Sequence, residues 1–142
     1  MMMQDKLNRI VIKMREKDTY LQWLNPVLMD VKEGVCKITI DIRKEFLNHV
    51  GIVHGGITFG LADAAFAYAS NSHNRVAVAL DVSISYTEAV YEGDQLTALA
   101  KEEYIGNKTA IYKVEVFNQY NKLVAIFNGT VYRKKELHEA EE

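Results

Sequence analysis

The chain has 142 residues, 49% of them hydrophobic and 25% charged, with a formal net charge of -2 at pH 7. This length and ordinary globular composition predict a single domain over residues 1–142, with a sizeable hydrophobic core. The charge balance argues against nucleic-acid binding, since proteins of that class usually carry a basic stripe.

The chain begins with an amphipathic helix, predicted over residues 3–18. Apolar side chains recur there at helical spacing, with charges on the opposite face: Leu7, Ile10, Val11 and Met14. Residues 20–24 then lead to Pro26, which interrupts the helical pattern. We therefore expect residues 1–24 to form a short N-terminal helix and its lead-in. No hydrophobic run precedes the first charges, so we expect no signal peptide and a cytoplasmic location.

Two strands are predicted next, over residues 27–31 and 35–42, joined by the turn Lys32-Glu33-Gly34. Cys36 lies in the second strand, where a small buried hydrophobe is expected. As the single cysteine of the chain, it excludes an internal disulfide and a paired-cysteine metal site. The charged, irregular stretch from residue 43 to 53 is predicted to be a loop that carries Asn48.

The most informative stretch is a glycine pair followed by an apolar helix. Residues 48–56 read Asn-His-Val-Gly-Ile-Val-His-Gly-Gly, and the helix continues through residues 57–70 with one charge, Asp63. Small residues at four-residue intervals allow neighbouring elements to approach this helix closely: Gly56, Gly60 and Ala64. The apolar run is too short and too charged to span a bilayer, so we expect no membrane contact.

Asp63 and the glycine pair are candidates for chemistry. A carboxylate in an apolar helix is costly to bury, and burial tends to raise its pKa. The backbone N–H groups near Gly55 begin the helix, where the helix dipole favours anions. The two positions are roughly 12 Å apart along the helix axis. A substrate carbonyl can lie between them if an extended loop or a second chain completes the pocket.

After the helix, which should end near residues 71–74, the periodicity changes to that of strands. Apolar residues alternate over residues 76–86, and turn signals divide the rest into strands near 94–105, 108–119 and 122–134. Short connections require antiparallel neighbours, and the strand at residues 76–86 is a candidate sheet edge. The charged end of the chain, from Arg133 through the tail at residues 135–142, is expected to fray.

These elements predict an α+β fold, an antiparallel sheet with one long helix inserted between its second and third strands. A helix that is apolar on almost every face needs a sheet curved around it. This topology, with His54-Gly55-Gly56 followed by Leu61-Ala62-Asp63, resembles the hot-dog fold acyl-CoA thioesterases of the phenylacetate-degradation (PaaI) type. The resemblance extends without gaps from about Asn48 to Tyr132, and it implies a curved antiparallel sheet wrapped around the central helix.

The resemblance implies a set of catalytic residues. Asp63 would be the catalytic carboxylate, either as general base or as nucleophile. The Gly55 N–H would polarise the thioester carbonyl, Asn48 would hold the water or the substrate, and His54 would shape the loop or contact the thioester. The family's active site lies at a dimer interface, so Asn48 and Gly55 of one subunit would face Asp63 of the other. A homodimer is therefore expected, and dimers of dimers are common in this family.

The implied substrate is an acyl-CoA or an acyl carrier protein thioester with an aryl or medium-chain acyl group. We expect no separate cofactor, because coenzyme A is part of the substrate, and no metal, because the histidines lack ligand spacing. The candidate substrate-binding residues are Gly56, Asp81, Tyr68 and Arg75.

The basis for these candidates differs. Arg75 is a cation near a strand end that can meet the nucleotide phosphates, together with Lys108, Arg133 and Lys134. Asp81 is predicted to share a strand face with Ala77 and Ala79, close to the pocket, with a solvated strand face as the alternative. Tyr68 lies on the central helix, where packing in the core is the alternative to lining the acyl pocket.

Two other functions stay open, the first of them implied by the resemblance in fold. A hot-dog hydratase or dehydratase would pair His54 with Asp63 across the site, and it would change enoyl-thioester absorbance without releasing a thiol. A non-catalytic acyl-CoA-binding module would bind tightly and release no thiol, but it has little reason to bury an acid beside the carbonyl.

Overall fold

The computed structural model describes residues 2–141; Met1 and Glu142, the two ends of the expected domain, lie outside the described residues. The helices are α1 (Met2–Lys17), α2 (Thr19–Leu24) and α3 (Gly55–Ser70), and a short 3-10 turn covers Lys44–Phe46. The strands are β1 (Val27–Lys32), β2 (Val35–Asp41), β3 (Arg75–Tyr86), β4 (Gln95–Ile105), β5 (Thr109–Phe117) and β6 (Leu123–Leu137). Over the described residues, every helix is too short or too polar to cross a bilayer.

The six strands form one antiparallel sheet in the order β1-β2-β4-β5-β6-β3. Helix α3 follows β2 in the chain and packs across the sheet, chiefly against β2, β4 and β5. The predicted α+β hot-dog architecture is confirmed. Strand β3 lies at one end of the strand order, so the prediction that it is a sheet edge is also confirmed.

The N-terminal region contains a second helix that the sequence pattern did not predict. The Asp18 side chain accepts a hydrogen bond from the Leu21 N–H at 3.0 Å, which starts α2. Asn25 adopts the left-handed conformation, φ 55°, and ends α2 just before Pro26. The predicted lead-in to Pro26 at residues 20–24 is therefore helical, because a local side-chain cap begins a new helix there.

The core forms between α3 and the sheet. Its aromatic centre includes Phe66 and Phe127, whose ring centroids are 5.3 Å apart. Cys36 on β2 has no exposed surface, as predicted for a small hydrophobe, and burial raises the pKa of its thiol to about 12. Leu7 and Val11 of α1 belong to the same buried cluster, so the core extends from the sheet to α1.

The end of the chain is more ordered than its charge predicts. Strand β6 continues to Leu137, where it still pairs with β3. Glu139 then accepts two hydrogen bonds from the Arg9 guanidinium of α1, at 2.9 and 3.0 Å. The expected fraying from Arg133 is wrong as far as Glu139, because cross-strand pairing and an ion pair hold these residues.

A bulge in β3 changes the face on which its side chains lie. Ala79 pairs with Val131, which is buried, whereas Asp81 pairs with Thr130 on the opposite face of β6. One extra residue reverses the alternation of a strand. The prediction that Asp81 shares a face with Ala77 and Ala79 is wrong for this reason, and Asp81 lies exposed on the outer face.

Candidate functional site

The loop before α3 is closed by a β-bridge between Leu47 and Val53. Within it, Asn48 Oδ1 accepts hydrogen bonds from the N–H groups of Val50, at 3.0 Å, and Ile52, at 3.3 Å. The carbonyl oxygen of the Asn48 amide is thus occupied in shaping the loop. The Nδ2 group is the donor that this side chain offers to a ligand.

The start of α3 is held from two sides. His54 is the N-cap, and its Nδ1 accepts from the Gly56 N–H at 3.0 Å. The Tyr86 hydroxyl at the end of β3 donates to the Gly55 carbonyl at 2.8 Å. These two contacts fix the peptide group between Gly55 and Gly56, and the Gly55 N–H next to it belongs to the first helical turn, which has no intrahelical acceptor.

Tyr86 is a site residue that sequence reasoning missed. A Cβ on Gly55 would lie 3.0 Å from the Tyr86 hydroxyl, so glycine is what allows this contact. The only sequence signal was that Tyr86 ends an alternating strand, and that signal says nothing of a partner 31 residues away.

One face of α3 stays open, whereas the other helix residues from Ile57 to Ser70 are buried. Phe59, Asp63 and Ala67 are half-buried and spaced four residues apart, so they lie on one face. We call these three residues the open stripe. It contains the one charged residue of α3, at a position that another molecule can reach.

Asp63 is electrostatically unusual. Burial, and next the negative charge of Asp18, raise the pKa of the Asp63 carboxyl above its ordinary value. Burial also raises the pKa of Tyr20 on α2, and the charge of Asp63 raises it further. The first turn of α2 therefore lies within electrostatic reach of Asp63. A carboxyl with a raised pKa is a better proton acceptor than an ordinary aspartate.

The chain does not bring Asp63 to its own Gly55. They lie at different levels of the same helix, about 12 Å apart along its axis. Asn48 lies in the loop that leads directly into the His54 cap at the start of α3. The predicted catalytic residues thus form two groups: Asn48, His54 and Gly55 at or just before the start of α3, and Asp63 midway along it. Gly56, a candidate for substrate binding, belongs to the first group.

Tyr68 does not join either group. Its side chain is 1% exposed, and burial raises the pKa of its hydroxyl while the nearby Arg15 of α1 lowers it. It therefore packs in the core, which was the alternative to lining the acyl pocket.

Four basic residues gather at the far end of the sheet. We call them the basic cluster: Arg75, Lys108, Arg133 and Lys134. The Arg75 guanidinium donates to the backbone carbonyls of Lys134, at 2.8 Å, and Arg133, at 2.9 Å. The Arg133 N–H donates to the Lys108 carbonyl at 2.7 Å. Burial, followed by the charge of Arg75, lowers the pKa of Arg133, so the two guanidinium groups act on each other.

The basic cluster is remote from Gly55 of the same chain. Arg75 begins β3, and Tyr86, which holds Gly55, ends it. Eleven residue steps along a strand span about 36 Å. Among residues 2–141, no group of three or more His, Cys, Asp or Glu side chains is arranged to hold a metal ion.

Comparison with known proteins gives a consistent result. The sequence model of the Thioesterase superfamily matches residues 50–125. A putative esterase of Archaeoglobus fulgidus is 48% identical over 130 residues, which cover 92% of this chain and 84% of that protein. The acyl-coenzyme A thioesterase PaaI of Escherichia coli is 38% identical over 120 residues, covering 84% and 86%.

Solved structures agree with these matches. The E. coli PaaI protein from the phenylacetic acid degradation operon superimposes with a TM-score of 0.90 and 34% identity, covering 94% of this chain and 96% of that one. A Streptococcus mutans protein bound to acetyl-CoA superimposes with a TM-score of 0.77 and 28% identity, covering 80% and 91%.

Proposed function

The chain belongs to the Thioesterase superfamily, and we propose that it hydrolyses acyl-CoA thioesters at a site completed by two copies of the chain. The observation that carries this proposal is the position of Asp63, a half-buried carboxylate on the open stripe of α3. The choice of substrate is supported by a relative that is an acyl-coenzyme A thioesterase and by a structural neighbour that holds acetyl-CoA.

Two copies are needed because one chain cannot present both groups to one thioester. The attacking oxygen and the oxyanion donor each lie about 3 Å from the reacting atoms. Asp63 and the Gly55 N–H of one chain, about 12 Å apart along the helix axis, are too far apart for this. We infer that Gly55 and Asn48 of a second copy meet Asp63 of the first.

The free edge of β3 is the surface through which the copies pair. It carries exposed apolar side chains, with Val78 40% and Leu80 60% exposed. Antiparallel pairing of β3 with its copy would continue the sheet and satisfy the unpaired edge. Twofold symmetry is the commonest arrangement of homo-oligomers, and it would cover the open stripe of each α3 at the same time.

This pairing also accounts for the basic cluster. In an antiparallel β3–β3 pair centred between Leu80 and Asp81, Arg75 of one chain lies opposite Tyr86 of the other. The basic cluster then lies next to the partner's Gly55. Arginine and lysine are the usual protein partners of phosphate groups. We therefore assign the cluster to the nucleotide phosphates of coenzyme A.

The chemistry follows from this arrangement. The Gly55 N–H donates to the carbonyl oxygen as negative charge develops on it. Asp63 either removes a proton from the attacking water or attacks the carbonyl carbon itself; in the second case the thiolate leaves an anhydride on Asp63, which water then hydrolyses to the free acid. Asn48 donates through Nδ2 to the water or to the substrate. The thiol departs as a thiolate, because thiols have a pKa of about 8–9.

The raised pKa of Asp63 makes a testable prediction about pH. The ionised form of Asp63 is the active one, so activity falls as the pH drops through the pKa of this carboxyl. Asp18→Asn removes a negative charge that raises this pKa, so we expect the acid limb of the kcat/KM profile to move to lower pH. Asparagine also caps helices, so α2 should stay intact. An acid limb at the wild-type position would contradict the coupling.

The activity itself is tested by measuring free thiol released from acetyl-, octanoyl- and benzoyl-CoA by the full chain. We expect stoichiometric release of thiol and acid. Tight binding without release would favour a non-catalytic binding module. A change in enoyl-CoA absorbance without thiol release would favour the hydratase. Acyl carrier protein thioesters, assayed in parallel, decide which carrier is preferred.

We propose that the protein is a cytoplasmic dimer and that a dimer of dimers is its larger form. A single free thiol, Cys36, is consistent with a reducing compartment. Light scattering on the purified protein should give at least twice the 16.2 kDa mass of the chain. An active species of that single mass would contradict the shared site.

A further inference from the structure

Tyr20 of α2 occupies a notch in α3. A Cβ on Gly60 would lie 2.0 Å from the Tyr20 hydroxyl and 2.9 Å from its ring carbon Cζ. No side chain fits at such distances, so the phenol occupies the space that Gly60 leaves open. The contact joins the short second helix to the middle of the buried one.

The notch lies beside Asp63. Gly60 is one turn before Asp63 on the same helix, and residues three apart are neighbours on a helix surface. The charge of Asp63 acts on the Tyr20 phenol, which agrees with this closeness. Tyr20 is nevertheless 45% exposed, so its ring has one side against α3 and the other side open. A molecule that reaches the Asp63 carboxylate therefore meets the Tyr20 ring.

Tyr20 belongs to an aromatic row. Its ring centroid is 6.1 Å from that of Trp23, and Trp23 packs edge-on against Phe46 at 5.5 Å. Trp23 is 50% exposed. The Arg43 guanidinium lies over the Phe46 ring at 4.1 Å. These three rings form an apolar surface beside Asp63, which we call the apolar wall: Tyr20, Trp23 and Phe46.

The wall is held in place at both ends of α2. Asp18 caps the helix at its start, and Arg43 donates to the backbone carbonyls of Trp23, at 3.3 Å, and Leu24, at 3.4 Å. Because these contacts fix α2, the Tyr20 ring is a fixed boundary of the site.

The wall lies on the side of Asp63 away from the basic cluster. Gly60 precedes Asp63 on α3, whereas the basic cluster lies beyond the end of α3, at Arg75. An acyl-CoA whose phosphates lie at the basic cluster therefore directs its acyl group toward the apolar wall. We propose that Tyr20 is a specificity-determining residue, whose ring in the Gly60 notch closes the acyl pocket and limits the length of the acyl group. This inference rests on the proposed thioesterase function.

The test compares acyl-chain preference in Tyr20→Ala and wild type. Removing the ring opens the notch, and a few methylene groups in an apolar pocket change kcat/KM by one to two orders of magnitude. We expect the ratio of kcat/KM for octanoyl-CoA over acetyl-CoA to rise at least tenfold. Tyr20→Phe keeps the ring and should keep the wild-type ratio within threefold. Tyr120→Ala is the matched control, since Tyr120 is 81% exposed on the turn after β5.

The possible outcomes distinguish a failure of this inference from a failure of the proposed thioesterase function. Thiol release with an octanoyl-to-acetyl ratio raised less than tenfold in Tyr20→Ala would overturn the role of Tyr20 and leave the thioesterase function standing. No thiol release by the wild type would overturn both. If Tyr20→Ala does not fold, Tyr20→Leu removes the outer part of the ring, and the same tenfold criterion decides.

Discussion

Replacing Asp63 with asparagine should lower kcat for thioester hydrolysis by about 10²- to 10⁴-fold and at the same time make the protein more stable at neutral pH. The loss of rate is the usual effect of removing a general base. The gain in stability has a separate cause. Burial raises the pKa of Asp63 in the folded chain, so the fold favours the protonated carboxyl and is weakened by the ionised one.

The sign of the stability effect gives a pH dependence. Above the raised pKa the wild type carries the unfavourable charge and Asp63→Asn does not, so the variant should have the higher Tm. Below the pKa of an unfolded aspartate both states of the wild type are protonated, and the difference should vanish. Thermal unfolding of both proteins across pH 3–8, with thiol release measured on the same samples, checks the two effects together.

Asp5→Asn is the matched control, because Asp5 is an exposed aspartate on α1. It should leave kcat at the wild-type value and should not raise Tm at neutral pH, because an acid in the first turn of a helix is favourable. Near-wild-type hydrolysis by Asp63→Asn would remove the proposed mechanism. A lower Tm for that variant at neutral pH would contradict the burial argument alone.

Mixing two inactive variants should restore activity. In a heterodimer of an Asp63→Asn chain and an Asn48→Asp chain, one of the two shared sites has an intact Asn48, Gly55 and Asp63. We expect such heterodimers to have about half the activity of the wild type. Asn48→Asp keeps the oxygen that accepts from Val50 and Ile52 and removes the Nδ2 donor, so the loop should survive.

The measurement uses two affinity tags and co-expression, so that only heterodimers are assayed. The control pairs an Asp63→Asn chain with a chain that carries both substitutions, because no site is then intact. Heterodimers no more active than the two parent proteins would mean that each site lies within one chain. The cross-subunit geometry proposed for Gly55 and Asp63 would then be wrong.

The periodicity of the sequence was sufficient for the architecture. An apolar helix that begins with two glycines and is followed by alternating strands predicted α3, the antiparallel sheet and the edge position of β3. Three local departures escaped this reasoning. Asp18 starts α2 by a side-chain cap, a bulge turns Asp81 to the outer face, and β6 continues into charged sequence.

The site residues that carry a local sequence signal could be predicted, and those defined by contacts between distant residues could not. Asp63 and the glycine pair stand out because a charge in an apolar helix and a glycine-rich helix start are local signals. The contacts of Tyr86 with Gly55 and of Tyr20 with Gly60 join residues distant in sequence. Such contacts depend on how the elements pack, and no spacing in a single sequence reports them.

The burial of Cys36 has a practical consequence for chromogenic assays. Chromogenic disulfide reagents react with the thiolate form of cysteine. Because the pKa of Cys36 is about 12, almost no thiolate is present at the pH of the assay. With no surface accessible to the dye, the native enzyme should contribute no background signal. After denaturant is added, the reagent should detect one thiol per polypeptide. The difference between the native and the denatured signals then measures the folded fraction of each preparation.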